Sequence, residues 1–511
     1  MSMIMRGRGF TGGYRFVNFA GAPEQKVDTA AIPGELIVPL KQGFGEEVEP
    51  TVKVGDPVQG GQVIGIDEGS VSTPVHAPAS GRVSAVKTVR TFHGQVSAVF
   101  IETDGNTDWR KIDIESGGND ADQDTISRIL YGSGVSSLGR SGIPTAFGSS
   151  VIGPGEVEQL ILEGVGSDVY NESLDFLLEG DGLMHFLQGI KILKRLMHNA
   201  RVSVALNRSR SSLLRELQER EPDLDLYPLE PRYPQHVDEV LVQTILNRPF
   251  PFGYPAAHIG VVVLDLQAVF HVYDAVVDGK PLIERIVALC GGGFSHNRYV
   301  KARIGTPVKA LLPPEKAVDT RLIADGPISG AAMDDPDASV ERDLRSITAI
   351  PERKTSGFLS FAMPGFRKDS ITNTFVAKFL RTKKTADTNL HGDERPCIFC
   401  GYCEQVCPVG IVPHLLYRHV ERGKIEDYLV RYGIFRCIDC GLCSYVCPSK
   451  IRLSHYLAEG KEELRKMGLG ESVSIAPRFS LRGIDSPKDD GEGAPGRAGG
   501  QGESDATGGG E

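Results

Sequence analysis

The sequence predicts a multidomain α/β and β chain that closes in a small helical domain, and three observations carry that expectation. At 511 residues with 40% hydrophobic side chains, the chain exceeds what one core organises and is divided among several domains. Its first hundred or so residues are short β-branched runs broken by Gly and Pro, while its middle alternates helical and strand patterns. Eight of its nine cysteines crowd between Cys397 and Cys447, in a stretch with helical periodicity.

The β-rich opening contains the runs Leu36–Leu40, Thr51–Val54, Gly61–Ile66, Arg82–Val86 and Val96–Ile101. Gly55-Asp56-Pro57, Pro78–Gly81 and His93-Gly94 supply the turns between them. From about residue 120 to 250, Val157–Leu162, the helical stretch Leu183–Asn199 and the strand Arg201–Leu206 predict an α/β layer with parallel strands. Its Gly-rich opening, Gly132 to Thr145, has the composition that lets backbone approach a phosphate or flavin closely, and equally that of a plain loop. A third module holds His258–Val263, Ala275–Leu282, Glu284–Leu289 and Arg303–Val308, with Asp278-Gly279 as a turn. A mixed segment follows from about 315 to 385. Helices are then expected at Pro413–Arg422, Lys424–Tyr432 and Ser454–Lys466. Asp485 to Glu511 is rich in Gly, Asp, Glu and Pro and is expected to be disordered, because it has too little apolar surface to offset its ordering entropy.

The cysteines form two copies of one pattern, Cys397-x2-Cys400-x2-Cys403-x3-Cys407-Pro408 and Cys437-x2-Cys440-x2-Cys443-x3-Cys447-Pro448. That spacing is the ligand set of two 4Fe-4S clusters: the two-residue gaps let a tight loop present three soft thiolates, and the Cys before Pro ligates the other cluster. The expected sets are Cys397, Cys400, Cys403 and Cys447 for one cluster, and Cys437, Cys440, Cys443 and Cys407 for the other. Zinc takes separated pairs of cysteines and fits this spacing poorly. Disulfides need an oxidising compartment, and the stretch Met1 to Phe19 carries Arg and Gly throughout rather than a charged region followed by an apolar one. The ninth cysteine, Cys290, ends an apolar run and reads as a buried small hydrophobe.

The net charge of −10 offers no basic footprint for nucleic acid. Polar residues interrupt the longest apolar stretch, Ile259 to Val277, so no segment supplies the roughly 20 apolar residues of a spanning helix. Membrane association is expected through partners.

Lys53–Val58 and His76–Val83 resemble the lipoyl/biotinyl-type barrel-sandwich hybrid, but the loop Asp67 to Thr73, where carriers present a modifiable Lys, has none. A scaffold or docking role is expected there instead. The third module resembles a soluble-ligand-binding β-grasp. The implied domains are 1–115 barrel-sandwich hybrid, 116–255 Rossmann-like α/β layer, 256–315 β-grasp, 316–385 connecting segment, 386–470 helical dicluster ferredoxin domain and 471–511 tail.

This order resembles two related components of redox-driven ion pumps: the A component of the sodium-translocating NADH:quinone reductase and the C component of the Rnf-type ferredoxin:NAD oxidoreductase. Ala20–Gln25, Arg321–Gly330 and Pro364–Phe375 are similar to the former, and the cysteine motifs and Lys53–Pro57 to the latter. The Rnf component itself resembles the flavin-binding subunit of complex I, whose loop reads Gly-x-x-Gly-x-Gly-Gly-Ala-x-Phe-Pro-Thr. Here Gly134, Gly139, Gly142, Pro144 and Thr145 offer a reduced flavin and nicotinamide loop, while Ser137 and Arg140 stand at glycine positions and Ile143 replaces the aromatic. The family's acidic segment becomes Gly166 to Tyr170 with one acid, Asp168.

The resemblance implies an iron-sulfur electron-transfer subunit of a membrane-bound, ion-translocating complex. It would be peripheral on the cytoplasmic face of the inner membrane, and would relay electrons between a flavoprotein or ferredoxin and membrane subunits. Bound FMN and NADH are disfavoured by the altered loop, and quinone is admitted through the quinone-reductase relative. The alternatives are an NADH-oxidising flavin and iron-sulfur subunit, and a mainly structural docking subunit.

Overall fold

The computed structural model describes residues 9–42, 47–66, 72–91, 94–112, 121–135, 157–166, 168–170, 172–248, 256–312, 320–335, 337–352, 382–388 and 394–469. The chain enters through β1 (Glu24–Thr29) and then builds two small antiparallel sheets. The first contains β2 (Glu35–Pro39), and β3 (Glu49–Pro50) opens the second; β4 (Pro57–Val58) returns to the first. β5 (Val63–Ile66) and β6 (Val75–His76) complete the second, and β7 (Gly81–Thr91) and β8 (Gly94–Thr103) the first, giving the orders β2-β8-β7-β4 and β3-β5-β6. Successive side chains of a strand point to opposite faces. Val99 and Ile101 of β8 therefore enter the core with Leu36, Val38 and Ile64, while Val96, Ala98 and Phe100 pack on the other side with Ile37 and Val89. This is the barrel-sandwich arrangement.

The loop expected to carry a swinging arm in such a module is partly described. Residues 67–71 lie outside the described set, but Ser72 and Thr73 are buried. Arg342, far along the chain, donates from Nη1 to Thr73 Oγ1 at 2.6 Å and from Nη2 to Pro74 O at 2.6 Å. A distant guanidinium thus clamps the base of the loop to the body.

The middle of the chain forms a four-stranded parallel sheet, as its apolar runs predict, since strands covered on both faces lose polar alternation. Its elements are α1 (Gln123–Gly132), β9 (Gln159–Gly164), α2 (Asp181–Leu196), β10 (Arg201–Asn207), α3 (Ser211–Arg220), β11 (Asp225–Leu229), α4 (Asp238–Leu246), β12 (Val261–Asp265) and α5 (Leu266–Tyr273). α1 is capped by Asp122, whose carboxylate accepts from Thr125 N–H at 2.8 Å. Leu183, Phe186, Leu187, Ile190 and Leu193 give α2 one buried stripe at helical spacing. The strand order is β11-β10-β9-β12, so the chain leaves β9 first to one side and later to the other.

This pairing moves a boundary. The sequence assigned His258–Val263 to the third module, starting at 256, whereas Val261–Asp265 pairs in parallel with Gln159–Glu163 and belongs to the α/β layer together with α5. A short buried apolar run reads the same in either sheet, and only its distant partner decides. Ala275 to Asp278, also assigned to the third module, instead continues α5 as a π-helical turn.

The remaining sheet is mixed and six-stranded, with order β1-β14-β13-β17-β15-β16. It consists of β13 (Glu284–Cys290), β14 (Arg298–Arg303), β15 (Thr320–Ala324), β16 (Ala331–Ala332), β17 (Ser346–Pro351) and the early strand β1, paired in parallel with β14. The segment expected merely to connect, 316–385, therefore contributes three strands, and its stretch Met363–Phe375 lies outside the described residues. The C-terminal domain contains α6 (Tyr402–Gln405), α7 (Pro413–Glu421), α8 (Asp427–Arg431), α9 (Leu442–Tyr445) and α10 (Leu453–Lys466). Leu416, Tyr417 and Val420 of α7 share a core with Leu453, Leu457 and Leu464 of α10. The tail expected to be disordered lies outside the described residues. Among the described residues no helix is long and apolar enough to cross a membrane.

Candidate iron-sulfur centre

Each cysteine motif folds as a loop that runs into a one-turn helix bearing its third cysteine: Cys403 on α6 and Cys443 on α9. The two loops repeat one backbone course. Phe399 and Asp439 both adopt left-handed φ, 54° and 52°, two residues before Gly401 and Gly441 at 76° and 75°. Glycine has no Cβ to resist that conformation, and its recurrence lets the loop reverse between the second and third cysteine. After the last cysteine, Gly410 and Lys450 again share left-handed φ, 65° and 60°.

This course turns backbone N–H groups toward sulfur. Phe399 N–H donates to Cys397 Sγ at 3.5 Å. The N–H groups of Ile411, Val409 and Gly410 face the Cys407 sulfur, and those of Ile451 and Ser449 face Cys447. Such donors favour the thiolate, yet burial is the larger effect and pushes both thiols up. Burial likewise pushes Cys403 up to about 11, against N–H donation from His414 and Glu404, and the Cys400 and Cys447 thiols add to the rise. Burial pushes Cys437 up to about 12, with Asp439 adding and Lys461 opposing. For Cys443, burial leads, followed by Cys437, Cys440, Cys403 and Cys407. Metal ions favour the deprotonated form and displace these protons.

The fold brings together side chains from both motifs. One opening of about 330 Å³, counting the solvent at its mouth, is lined by Cys397, Cys400 and Cys403 together with Cys447, and by Phe399, His414 and Pro448. The motifs are joined at its rim, where Arg395 N–H donates to Ser449 O at 2.9 Å and Ser449 Oγ to Pro396 O at 3.0 Å. Cys407 stands beside Cys443, which also neighbours Cys437 and Cys440. Among the described residues no group of three or more His, Cys, Asp or Glu closes around a single ion. An all-thiol donor set spread around an opening, with N–H groups turned to sulfur, fits iron-sulfur clusters, whose ligands reach the corners of a cube.

The surroundings of the two loops differ. Ile398 and Phe399 of the first are 66% and 54% exposed, and Cys400 is exposed. The second is covered. Cys440 is buried, its carbonyl accepts from Tyr233 Oη at 2.7 Å, and Gly441 lies so close to the Ile328 backbone that a Cβ would collide. The N-terminal segment crosses the same region: the rings of Tyr14 and Phe16 pack edge-on against Tyr445, and Gly13 N–H donates to Val406 O of the first motif at 2.8 Å. Buried Lys461 donates to Cys437 O at 3.2 Å and pairs with the Asp439 carboxylate. Sequence reasoning missed Tyr233, Tyr14 and Lys461, because none belongs to a motif.

Of the reduced flavin loop only Gly134 is described; Gly139, Gly142 and Thr145 lie outside the described residues. Gly134 adopts φ +66° against Pro74 O and the Arg342 guanidinium. Near the C-terminal ends of β9 and β12, register sets Asp265 opposite Glu163, and burial pushes both carboxyls up. Asp168 lies next to Gly326. Glu172 is pushed up to about 8 by burial and then by Asp168, and Arg345 opposes the rise. Cys290 is fully buried, as read from sequence, and its Sγ also donates to Glu172 at 3.1 Å. That hydrogen bond had no signal in the sequence.

Residues 10–106 match the RnfC barrel sandwich hybrid domain family, and residues 396–451 the 4Fe-4S dicluster domain family. Along most of its length the chain is similar to proteins named as the C component of an ion-translocating oxidoreductase complex. Identity is 29% to that of Pectobacterium carotovorum over 88% of this chain and 56% of the relative, and 30% to that of Cronobacter sakazakii over 88% and 55%. The Yersinia pestis protein is 29% identical over 87% of this chain and 68% of the relative. The chain spans little more than half the length of the first two relatives. An NAD+-reducing NiFe hydrogenase in the H2-reduced state aligns over 69% of this chain and 67% of its own, at 15% identity and a TM-score of 0.40, a likeness that carries no argument about activity.

Proposed function

We propose that this chain is the peripheral iron-sulfur electron-transfer subunit of a membrane-bound, ion-translocating oxidoreductase of the Rnf type. The carrying observation is the pair of matching cysteine loops, one of which shares an opening with a cysteine of the other. In this reading Cys397, Cys400, Cys403 and Cys447 hold one 4Fe-4S cluster, and Cys437, Cys440, Cys443 and Cys407 hold the second. Such clusters supply one-electron redox chemistry when bound. The chain's own residues fix the thiolates at spacing, turn N–H groups toward their sulfurs, and exclude water around Cys440 and Cys443 by burial. Exchange of the fourth ligand ties the two loops into one unit, so electrons pass between them over a short fixed distance. Membrane subunits and a flavoprotein or ferredoxin are the partners, and the chain docks at the cytoplasmic face.

The eight cysteines favour the Rnf-type relative over the quinone-reductase component, whose resemblance rests on Ala20–Gln25, Arg321–Gly330 and a stretch outside the described residues. The α/β layer is read as Rossmann-like and the six-stranded sheet as built around a β-grasp. The strand order at β9 and β12 is one at which a cofactor crevice forms, which favours the second reading, NADH oxidation on a bound flavin. Against it, Ser137 and Arg140 stand at two glycine positions of the reduced loop, where a Cβ and a long side chain oppose close backbone approach to a cofactor. The Arg342 clamp on Thr73 and Pro74 supports a scaffold role for the barrel module.

The test is anaerobic purification followed by reduction. The relay reading expects no stoichiometric flavin, no NADH oxidation with an artificial acceptor, and clusters that accept electrons from dithionite. Near-stoichiometric FMN with direct bleaching by NADH overturns it and makes the chain the NADH dehydrogenase.

A further inference from the structure

The exposed cysteine loop lies in an apolar patch with a cationic rim. Ile398 and Phe399 are 66% and 54% exposed, and Leu415 on neighbouring α7 is 37% exposed. The Arg418 guanidinium lies over the Phe399 ring at 4.9 Å, and His414 meets the same ring edge-on at 5.8 Å. On the other side Arg395 Nη2 donates to Pro448 O at 2.9 Å, and Pro448 lines the opening shared by Cys397, Cys400, Cys403 and Cys447. Lys450 stands beside Arg395 and Cys447. The acidic neighbours in sequence are Glu394, which lies toward Tyr417 and Tyr456, and the exposed Glu404. Residues 394–469 contain eleven Lys and Arg against nine Asp and Glu, whereas the whole chain carries a net charge of −10. A local positive collar on a negative protein selects by charge.

We infer that the Ile398–Phe399 face is the port where electrons enter or leave this chain, and that its partner is a one-electron carrier protein presenting an acidic rim around an apolar centre. The inference rests on the reading that the four cysteines of this opening hold a cluster. Electron transfer falls steeply with distance, so the partner's redox group must come close, and Cys400 is the exposed cysteine of the eight. In the second loop the counterpart cysteine, Cys440, is buried, with Tyr233 on its carbonyl and the Ile328 backbone against Gly441. The apolar pair supplies a dehydrated contact centre, and the rim charges steer the encounter and set its orientation. Each encounter moves one electron and no atoms: the donor is oxidised by one electron and the acceptor reduced by one.

The test is anaerobic stopped-flow mixing of the oxidised full chain with a reduced acidic plant-type ferredoxin, with iron and sulfide measured on every sample. The expected second-order rate is high at low salt and falls as salt screens the charges. Arg395→Gln combined with Arg418→Glu slows it about tenfold or more at low salt and little at high salt. Phe399→Ser slows it at both. Arg215→Glu, on distant α3, leaves it unchanged, and reduction by dithionite stays fast in all variants. Rates indifferent to salt and to both sets of substitutions, in protein with full iron and sulfide, overturn the port. A chain ending at residue 484 that outpaces the full chain, with the full chain indifferent to the Arg418 change, assigns the collar to the chain's own acidic terminus and also overturns it. Wild-type protein lacking iron and sulfide instead refutes the cluster reading beneath.

Discussion

The two cysteine loops share a backbone and differ in everything around it. Phe399 and Asp439 occupy equivalent left-handed positions, but Phe399 projects to solvent under Arg418, while Asp439 receives buried Lys461. Cys400 is exposed, whereas its counterpart Cys440 is buried and its carbonyl is held by Tyr233. Cysteine spacing and two glycines dictate the local path. Tertiary neighbours then make one loop a surface feature and the other an internal joint, locked by the N-terminal segment, Tyr233 and Ile328. Matching cysteine loops thereby acquire unequal access.

The comparison breaks most sharply on the exchanged fourth ligand. Cys407→Ser is expected to remove about half of the iron and to match Cys440→Ser, although it lies in the other motif. Electron paramagnetic resonance of the reduced single variants reads this, and a match to Cys400→Ser instead contradicts the exchange. Tyr233→Phe leaves the Cys440 carbonyl buried without its hydroxyl donor, and is expected to cost about 1–3 kcal/mol in denaturant unfolding. It should also shift the midpoint of the covered cluster alone, which a purely structural role does not require.

Lys461→Met removes a buried cation from Asp439 and Cys437 O. Because Asp439 is half exposed and regains water, the expected loss is smaller, about 1–2 kcal/mol by the same measurement. The smallest effect belongs to the exposed loop. Phe399→Ser should change unfolding stability by no more than about 0.5 kcal/mol, since more than half of the residue already faces solvent. A loss as large as that of Tyr233→Phe would erase the contrast between the loops.

Much of this was legible in the sequence, for physical reasons that vary by element. The cysteine motifs were readable because their spacing is set by local loop chemistry, and α7 and α10 because their apolar stripes follow helical periodicity. β12 was misplaced because a five-residue apolar run fits either of two sheets. β1 was unassigned because its partner, β14, lies over 250 residues away. Lys461, Tyr233 and Arg342 act through contacts between distant segments, and a lone polar residue in sequence gives no sign of such a partner. Cys290 read correctly as buried, but its hydrogen bond to Glu172 depends on β13 meeting the segment after β9.

Two complete ligand sets are expected to hold two cubane clusters in one chain. Anaerobic iron and acid-labile sulfide analysis of the purified full chain tests it most directly. The expected result is about eight iron and eight sulfide per chain, with a paramagnetic signal on reduction. Stoichiometric zinc without sulfide would contradict it.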